Sequence, residues 1–538
     1  MAPPENEEHH LMLNYQNVNY AEITQVENIC DDIENNNAHK KDGCNTLDDS
    51  SGLATYTSNS KGILAQCLVS GAVLLLAAGG GMPIGYSAIL LPQLGEENST
   101  IRVDRELGSW IASVHSLATP VGSLLSGPLL DGIGRRGSLQ LSAIPLCTGW
   151  IIMGVSTNVP YLLTGRIVSG LAVGLMSVPA QVLLAEMSDP RLRGILTGLS
   201  LVFYCFGILL VYALGASFTW DVVAFCGIIL PLMALIAFTL IPESPVWLVR
   251  QAKLKKARKA LLWLRGGNTD QVNTEIAILE ARVKADLARK IISTSYTDQM
   301  FSAISTILDP TILKPLIIIN VFNILLLSSG TYIIVFYAVE LISNIGGENI
   351  NNYFAAVITA VIRLLFTLIG STLLLFLGRR SLGILSAFGS GVASLFLAGY
   401  ILTRKESSSI DVYVVGVCLL MYVAANSLGL MVLPGIMGGE LLPQRARGIG
   451  GAFSFFVFNM FTFAVTKIFP MISEAVGIPG IFIIFGSSAL LETAFIYVAL
   501  PETKNRTLQE IEDYFQQKNL LWVTRLREKR KHKSKDYK

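Results

Sequence analysis

The sequence predicts an all-α integral membrane protein with twelve transmembrane helices in two six-helix halves, joined by a cytoplasmic helical linker. Of its 538 residues, 52% are hydrophobic and only 15% are charged, which is too apolar for a soluble protein of this size. A charged three-part motif occurs twice in the same order, and basic residues cluster in alternate connections between apolar stretches. These three patterns favour a duplicated six-helix membrane unit.

Twelve stretches meet the length requirement for crossing a membrane, which is roughly 20 predominantly apolar residues per helix. They are predicted near 63–91, 109–131, 138–158, 161–184, 195–216, 222–242, 315–341, 353–377, 382–403, 412–437, 450–472 and 479–500. Several contain Gly or Pro, which membrane helices tolerate better than soluble ones. We call these stretches spans one to twelve.

The charged motif stands at the ends of corresponding spans in the two halves. Its first copy is Gly134-Arg135-Arg136, Glu186 with Arg193-Gly194, and Pro242-Glu243-Ser244-Pro245; its second is Gly378-Arg379-Arg380, Glu440 with Arg447-Gly448, and Pro501-Glu502-Thr503-Lys504. In both copies the middle Glu lies seven residues before its Arg. The conserved internal spacing indicates two copies of one structural unit.

The distribution of basic residues predicts the orientation in the membrane. Lys and Arg cluster at 135–136, 191–193, 250–290, 379–380, 445–447 and after Arg525. The positive-inside rule therefore places both termini and segment 243–314 in the cytoplasm, and an even number of spans agrees. The first 60 residues are polar, so no cleavable signal peptide is expected.

The same patterns predict five regions. These are a disordered cytoplasmic arm (1–60), the first half (61–249), the linker with two amphipathic helices (250–313), the second half (314–504) and a basic cytoplasmic tail (505–538). The expected partners are the lipid bilayer and a small-molecule substrate, with no nucleic acid. The basic tail is expected to contact anionic lipid or to remain solvated. Asn98, in the first outward loop, is a candidate glycosylation site.

No enzyme, metal site or cofactor is expected. The seven cysteines are scattered, and His9-His10 has no further ligands nearby in the sequence. No nucleophile–base pair, metal cluster or phosphate-binding glycine loop is evident.

Six motifs in order carry a resemblance to a known family. They are GPLLDGIGRR (127–136), GRIVSGLAVG (165–174), AEMSDPRLRG (185–194), PESPVWL (242–248), ELLPQRARG (440–448) and PETKNRTLQEIE (501–512). Over roughly residues 62–515 the chain resembles the sugar porter branch of the major facilitator superfamily. Within that branch, the segment after span six is similar to that of insect facilitated trehalose transporter-like proteins.

The resemblance implies a major facilitator fold in the plasma membrane and facilitative transport of trehalose or a hexose by alternating access. It also implies a cytoplasmic gate, a charge network that closes in the outward-open state and breaks when the protein opens inward. The gate candidates are Asp131, Arg135, Arg136, Glu186, Arg193, Glu243, Arg379, Arg380, Glu440, Arg447 and Glu502. The alternative is that these residues are only positive-inside anchors.

The expected substrate path departs from the family. In the family, span seven usually carries glutamines and an asparagine that bind sugar hydroxyls; here other residues replace them in Leu326–Tyr332. Leu201 stands where span five of the family has a glutamine. The second half contains no tryptophan. The cavity candidates are Asn320, Asn323, Ser329, Gly330, Tyr332, Arg363, Asn426, Pro434 and Asn459. For the asparagines, helix–helix packing is an equally good explanation.

Three ionisable residues lie within predicted spans, namely Arg363, Lys467 and Glu492. Arg363 is expected either to attract an anionic substrate or to pair with Glu492 or Glu440. Ser87 stands where proton-coupled relatives carry an aspartate, which favours facilitated diffusion. Two alternatives stay open: uniport of a non-sugar solute such as an organic anion, and a nutrient sensor that does not transport.

Overall fold

A computed structural model describes residues 60–96, 99, 101–291, 309–346, 351–403, 409–443, 447–504, 506 and 508–516. Every regular element in these residues is an α-helix, which confirms the predicted all-α class. The glycosylation candidate Asn98, the basic stretch of the tail and the predicted arm up to residue 59 lie outside the described residues.

Most helices correspond to predicted spans, but spans seven and ten, predicted as continuous, are each interrupted by a turn, at 329–332 and 429–432. In chain order the helices are α1 (Ser60–Leu94), α2 (Arg105–Gly132), α3 (Arg135–Gly154), α4 (Val159–Met187), α5 (Pro190–Gly215), α6 (Trp220–Leu240), α7 (Pro245–Arg250), α8 (Leu254–Leu264), α9 (Thr269–Ile291), α10 (Pro310–Ser328), α11 (Ile333–Phe336), α12 (Ala338–Gly346), α13 (Asn352–Phe376), α14 (Arg379–Thr403), α15 (Ser409–Leu428), α16 (Leu433–Leu441), α17 (Arg447–Ala499) and α18 (Leu508–Gln516).

Ten helices in the described residues are long and apolar enough to cross a membrane, compared with twelve predicted spans. Two features account for the difference. Spans eleven and twelve form one 53-residue element, α17, in which only Gly477 has non-helical geometry, with φ 69° and ψ 174°. Helix α2 has 28 residues but is more polar than the ten, because serines and His115 interrupt its apolar sequence.

The helices pack as two sets, which we call the N-terminal set (α1–α9) and the C-terminal set (α10–α18). In the first, α4 packs against α2 and α3, and α1 packs against α5; in the second, α14 packs against α15 and α17. The largest contacts between the sets join α2 to α17 and α5 to α13. The sets therefore meet along two helix pairs.

The linker helices α7–α9 pack on the N-terminal set. Trp247, Ala257 and Val283 belong to a small apolar cluster between them. Arg265 joins this cluster to the rest of the set, because its guanidinium lies 2.8 Å from Asp189 and 2.8 Å from Glu275. The predicted amphipathic linker helices thus form as α8 and α9.

Candidate functional site

Two long helices are interrupted in the C-terminal set. Between α10 and α11 the chain turns at Ser329–Tyr332, where Gly330 has a φ of 85°. Between α15 and α16 it turns at 429–432. The Tyr422 hydroxyl of α15 donates a hydrogen bond to the Ser329 carbonyl, so the second interrupted helix contacts the turn of the first.

The turn between α15 and α16 has its backbone groups satisfied by one serine of α14. The Ser386 hydroxyl donates to the Ala425 carbonyl at 2.6 Å and accepts from the amides of Gly429 and Leu430 at 3.1 and 3.0 Å. A broken membrane helix needs such partners, because lipid supplies none. In membrane transporters, discontinuous helices of this kind typically form the binding site.

Two of the four candidate asparagines serve helix packing. The Asn320 amide donates to the Leu316 carbonyl at 2.8 Å and to the Ser454 hydroxyl at 3.3 Å, which joins α10 to α17. The Asn459 amide donates to the Phe455 carbonyl of its own helix at 2.8 Å. For these two residues the packing explanation is the better one.

The other two asparagines also have unused hydrogen-bonding atoms, as Asn320 does at its Oδ1, but no hydrogen bond from either of their side chains reaches another helix within the described residues. Asn323 is buried and its Oδ1 has no partner within the described part of the chain. Asn426 is 1% exposed, and neither Nδ2 nor Oδ1 has a partner there. Because such groups are costly when unpaired, these two amides are the stronger candidates for contacting a ligand.

The remaining apolar and small candidates shape the interrupted helices. Tyr332 packs edge-on against Phe458 with ring centroids 5.4 Å apart. The Ser329 hydroxyl donates to the Leu326 carbonyl at 2.7 Å. Pro434 lies in the first turn of α16, and the next residue, Gly435, has open space where a Cβ would stand.

Arg363 lies between the two helix sets, buried to 4% exposure. Its Nη1 lies 3.3 Å from the Met431 sulfur, at the interruption between α15 and α16. The Met431 sulfur lies 4.0 Å from the sulfur of Cys205 on α5, and Cys205 lies 3.8 Å from the Thr367 hydroxyl, one turn along α13 from Arg363. Arg363 is therefore close to the contact between the two sets.

The expected pairing of Arg363 with a glutamate is not formed. Glu440 pairs with Arg379 instead, with Nη2 and Oε1 2.8 Å apart. Glu492 is fully buried, and neither of its carboxylate oxygens has a partner in the described residues. A carboxyl group in this position is expected to be uncharged, because an unpaired buried charge is far more costly than a neutral acid.

Replacing Glu492 with glutamine should leave stability nearly unchanged, within about 1 kcal/mol, because the amide keeps the volume and adds no charge. Glu440→Gln is the matched control, since it removes a carboxylate that pairs with Arg379. We expect the melting temperature of the detergent-solubilised protein to fall more for Glu440→Gln. A larger fall for Glu492→Gln would show that Glu492 is ionised.

The first copy of the charged motif forms a compact network. Arg135 makes a two-pronged contact with Glu186, with Nε–Oε2 and Nη2–Oε1 distances of 2.9 Å. Its Nη1 donates to the Leu130 carbonyl at 3.1 Å. The Ser244 hydroxyl donates to the same Glu186 carboxylate. One carboxylate thus joins α3, α4 and the start of α7.

The second copy repeats this network partner for partner. Arg379 contacts Glu440 through Nη2 at 2.8 Å, and its Nη1 donates to the Leu374 carbonyl at 3.5 Å. The Thr503 hydroxyl donates to Glu440 at 2.5 Å. The two networks differ mainly in exposure, since the side chains of Arg135 and Glu186 are 3% and 15% exposed and those of Arg379 and Glu440 are 24% and 26% exposed.

Glu243 and Glu502 bind helix ends instead of arginine side chains. Glu243 Oε1 accepts from the backbone amides of Arg135 and Arg136, both at 3.0 Å. Glu502 accepts from the amides of Arg379 and Arg380 at 3.0 and 3.2 Å. The first amides of a helix lack intrahelical partners and favour negative charge. These two glutamates therefore contact the motif arginines through backbone amides and not through the guanidinium groups.

The remaining gate candidates contact backbone carbonyls or contribute one. In the N-terminal set, Arg136 donates to the Ile241 carbonyl at 2.9 Å and Arg193 to the Ser188 carbonyl at 3.5 Å. In the C-terminal set, Arg380 donates to the Tyr497 carbonyl at 2.5 Å and Arg447 to the Leu442 carbonyl at 3.5 Å. The Asp131 carbonyl accepts a hydrogen bond from Trp247 at 2.9 Å. The Asp131 side chain is exposed.

The sequence analysis missed one buried charge, Arg166 of α4, which is 0% exposed. Its guanidinium donates to the Ile111 carbonyl at 3.0 Å, to the Ser87 hydroxyl at 2.6 Å and to the Pro83 carbonyl. These contacts join α4 to α1 and α2. The residue stands in the quoted motif GRIVSGLAVG, so a buried charge within an apolar stretch was the available signal.

Lys467 of α17 joins the two sets at the first turns of α2. Its Nζ donates to the Ser109 hydroxyl at 2.7 Å and lies 4.5 Å from the Trp110 ring centroid. Trp110 also packs against Phe463 with centroids 5.9 Å apart. A more exposed pair, Arg105 and Glu474, lies 2.7 Å apart beside it.

Lys467→Met should open this contact, because it removes the hydrogen bond and the cation–π contact, worth about 1–2 kcal/mol together. We expect a roughly fivefold to thirtyfold increase in labelling, by an impermeant thiol reagent, of a cysteine placed at Ser113. Glu474→Gln is the control and should change labelling about twofold or less, because its ion pair is solvated. Equal labelling in both variants would exclude Lys467 as the closing residue.

Comparisons with known proteins agree with this architecture. The family described as "Sugar (and other) transporter" matches residues 76–515. The facilitated trehalose transporter Tret1 of Culex quinquefasciatus is 31% identical over 85% of this chain and 88% of its own length. Trehalose transporter 1 of Drosophila melanogaster is 32% identical over 85% of this chain and 52% of its own. The chain thus spans only about half the length of several such relatives.

Solved structures show the same fold. The proton:xylose symporter XylE of the major facilitator superfamily, bound to 6-bromo-6-deoxy-D-glucose, has a TM-score of 0.65 at 22% identity and covers 83% of this chain and 99% of its own. An inward-open XylE from E. coli has a TM-score of 0.66 at 20% identity, over 84% and 99%. The fold is therefore that of the major facilitator superfamily.

Proposed function

The chain belongs to the family of sugar (and other) transporters, and from this premise we propose that it carries trehalose or a hexose across the plasma membrane by facilitated diffusion. It is a multi-pass membrane protein and a transporter, not an enzyme. The observation that carries the proposed site is the pair of interrupted helices, linked through Tyr422 and Ser329. Within the described residues, the Oδ1 of Asn323 and both polar atoms of the Asn426 side chain have no hydrogen-bond partner. Amides of this kind can bind sugar hydroxyls.

We further propose twelve crossings in two halves, 61–249 and 314–504, with a cytoplasmic linker at 250–313 and both termini inside. The length of α17 supports this count, because 53 helical residues would extend about 80 Å at 1.5 Å per residue. The hydrocarbon core is only about 30 Å thick. Two crossings that meet near Gly477 therefore fit, and the basic connections favour the stated orientation.

Alternating access is supported by where the two sets touch. Lys467 and Trp110 join α17 to α2 near the proposed outer surface. Closed contacts at the outer ends of two helices are what an inward-facing state of an alternating-access transporter requires.

The charged networks support a role for the proposed gate residues within each half of the protein. Arg135–Glu186 lies wholly within the N-terminal set, and Arg379–Glu440 lies wholly within the C-terminal set. Both are formed while the proposed outer ends are closed. Such pairs keep each half rigid as the halves rock, because each carboxylate joins three segments of one half.

Uptake of radiolabelled trehalose and glucose into oocytes, at matched surface expression, tests the proposal. Saturable uptake of either sugar, unchanged between pH 5.5 and 7.5 (about one unit on each side of an ordinary histidine pKa), is the expected result. Asn426→Ala should raise KM about tenfold, since a lost hydrogen bond in a dry site has this size. Asn320→Ala, at a packing amide, should lower surface expression with little change in KM.

The absence of uptake of both sugars despite normal surface expression would contradict the proposal. It would leave transport of another solute, or a sensor without transport. Uptake that rises with proton concentration would contradict facilitated diffusion alone.

A further inference from the structure

We propose that an oxyanion-binding subsite lies at Arg363, between the two helix sets, so that the preferred substrate is a monosaccharide carrying a carboxylate or a phosphate. This inference rests on the proposed sugar transport and extends its substrate class to acidic sugars. Three properties of Arg363 carry it: its position between the helix sets, its lack of a counter-charge and the chemistry around it.

The position of Arg363 is that of a substrate contact. The residue lies midway along α13, beside Met431 at the turn between α15 and α16. Cys205 of α5, which belongs to the N-terminal set, lies 4.0 Å from the same Met431 sulfur and 3.8 Å from the hydroxyl of Thr367 on α13. A ligand bound to the guanidinium would therefore touch elements of both halves, as a transported substrate must.

Within the described residues, the positive charge of Arg363 has no carboxylate partner. The guanidinium makes one hydrogen-bond contact there, to the Met431 sulfur, which is a weak acceptor. Glu440 is engaged by Arg379, and neither carboxylate oxygen of Glu492 has a partner in the same residues, so neither glutamate neutralises Arg363. Arginine in a membrane span normally pairs with a carboxylate or with carbonyls. Arg166 illustrates the difference, because its guanidinium is satisfied by carbonyl and hydroxyl oxygens from two neighbouring helices.

The surroundings of Arg363 suit a sugar ring that bears a negative group. Aromatic rings stand at the two interruptions, since Tyr422 donates to the Ser329 carbonyl and Tyr332 packs against Phe458. Asn426, whose amide is entirely unpartnered, follows Tyr422 by one turn of α15. Guanidinium groups bind carboxylates and phosphates in a two-pronged geometry, while rings and amides bind the hydroxylated remainder.

The test compares acidic and neutral sugars on the full-length protein. In oocytes, uptake of radiolabelled glucose is measured with unlabelled glucuronate, glucose 6-phosphate or glucose as competitor. We expect at least one acidic sugar to inhibit at least tenfold more strongly than glucose. The two acids separate a carboxylate preference from a phosphate preference.

Variants show whether Arg363 causes the preference for acidic sugars. In Arg363→Gln the preference for acid over glucose should fall at least tenfold, and Arg363→Lys should retain part of it. Arg105→Gln removes an exposed guanidinium that pairs with Glu474 near the proposed outer surface, and should keep the preference within about twofold. Equal inhibition by acidic and neutral sugars in the unaltered protein would overturn the inference even if Arg363→Gln fails to fold.

A binding measurement separates this inference from the transport proposal. The melting temperature of the purified protein is recorded with sodium glucuronate, glucose or sodium chloride at equal ionic strength. Stabilisation by glucuronate that Arg363→Gln abolishes supports the subsite, even if no uptake is seen and the transport proposal fails. Stabilisation by chloride to the same extent would overturn it, because any anion would then suffice.

Discussion

Replacing Gly370 with alanine is expected to abolish correctly folded protein. A Cβ at this position of α13 would lie 1.8 Å from the carbonyl oxygen of Leu428 and 2.7 Å from its carbonyl carbon. Both are backbone atoms of α15, so no side chain can rotate away. Overpacking in well-packed interiors typically costs about 1–3 kcal/mol and sometimes more, and here two helices would have to separate.

The position of Leu428 enlarges the expected effect on function. It is the last residue of α15, directly before the turn that holds Met431 beside Arg363. A displacement of α15 would therefore move the interrupted helix as well as weaken the packing. We expect transport to be lost together with at least about 3 kcal/mol of stability, beyond the usual range of single substitutions.

Gly399→Ala is the matched control, because a Cβ at this residue of α14 meets no atom within 4 Å. Alanine is favoured over glycine in helices by about 1 kcal/mol, so this variant should be unchanged or slightly more stable. Monodispersity and melting temperature of the solubilised proteins give the comparison. Similar melting temperatures for the two variants would mean that α13 and α15 separate easily.

The chain has 47 glycines, and its sequence does not reveal which of them lie against a neighbouring backbone. Apolar length and basic connections predict where helices cross, but they carry no information on which helix faces approach closely. Gly122 and Gly174 show the same limit, since a Cβ on either would come within 2.0 Å of a carbonyl on the facing helix. Small residues allow such approach in membranes, yet they look alike in sequence.

The repeated motif predicted the Arg135–Glu186 and Arg379–Glu440 pairs, because charges at corresponding helix ends with one spacing must meet in corresponding ways. It did not predict that Glu243 would bind backbone amides. Whether Glu243 binds these amides depends on the direction in which the first turn of α3 points. The positions of charged residues in the sequence give no information on that direction.

The candidate cavity was predicted only in part. Gly330 was identified, and the turn beside it forms. The second interruption, at 429–432, begins at Gly429 and precedes the candidate Pro434, but a glycine and a proline within an apolar stretch do not by themselves predict a break. The asparagines were identified by residue type, whereas their roles depend on their neighbours: Asn320 donates to Ser454 on another helix, and the Asn426 side chain has no partner among the described residues. Counting spans did not predict that spans eleven and twelve are continuous in α17, where helical geometry continues on both sides of Gly477.

Arg135→Ala is expected to destabilise the protein far more than Arg379→Ala, although the two arginines make the same contacts. Removing Arg135 leaves Glu186, 15% exposed, without its counter-charge, and breaking a buried ion pair in this way costs about 3–5 kcal/mol. Glu440, 26% exposed, is better solvated, and its loss of Arg379 should cost only about 1–2 kcal/mol, between the values for buried and surface pairs.

Double variants show whether burial causes the difference in stability loss between Arg135→Ala and Arg379→Ala. Removing both partners, in Arg135→Ala with Glu186→Ala, deletes the stranded charge, so stability should recover by about 1–3 kcal/mol relative to Arg135→Ala alone. The corresponding Arg379 and Glu440 variants should show little recovery, because water already solvates the carboxylate that remains. Chemical or thermal unfolding of the solubilised variants, together with surface expression in oocytes, measures the stability loss in the single variants and its recovery in the double variants. Equal losses in the two halves would mean that the shared geometry of the repeat, and not its different exposure to solvent, sets the energy of these pairs.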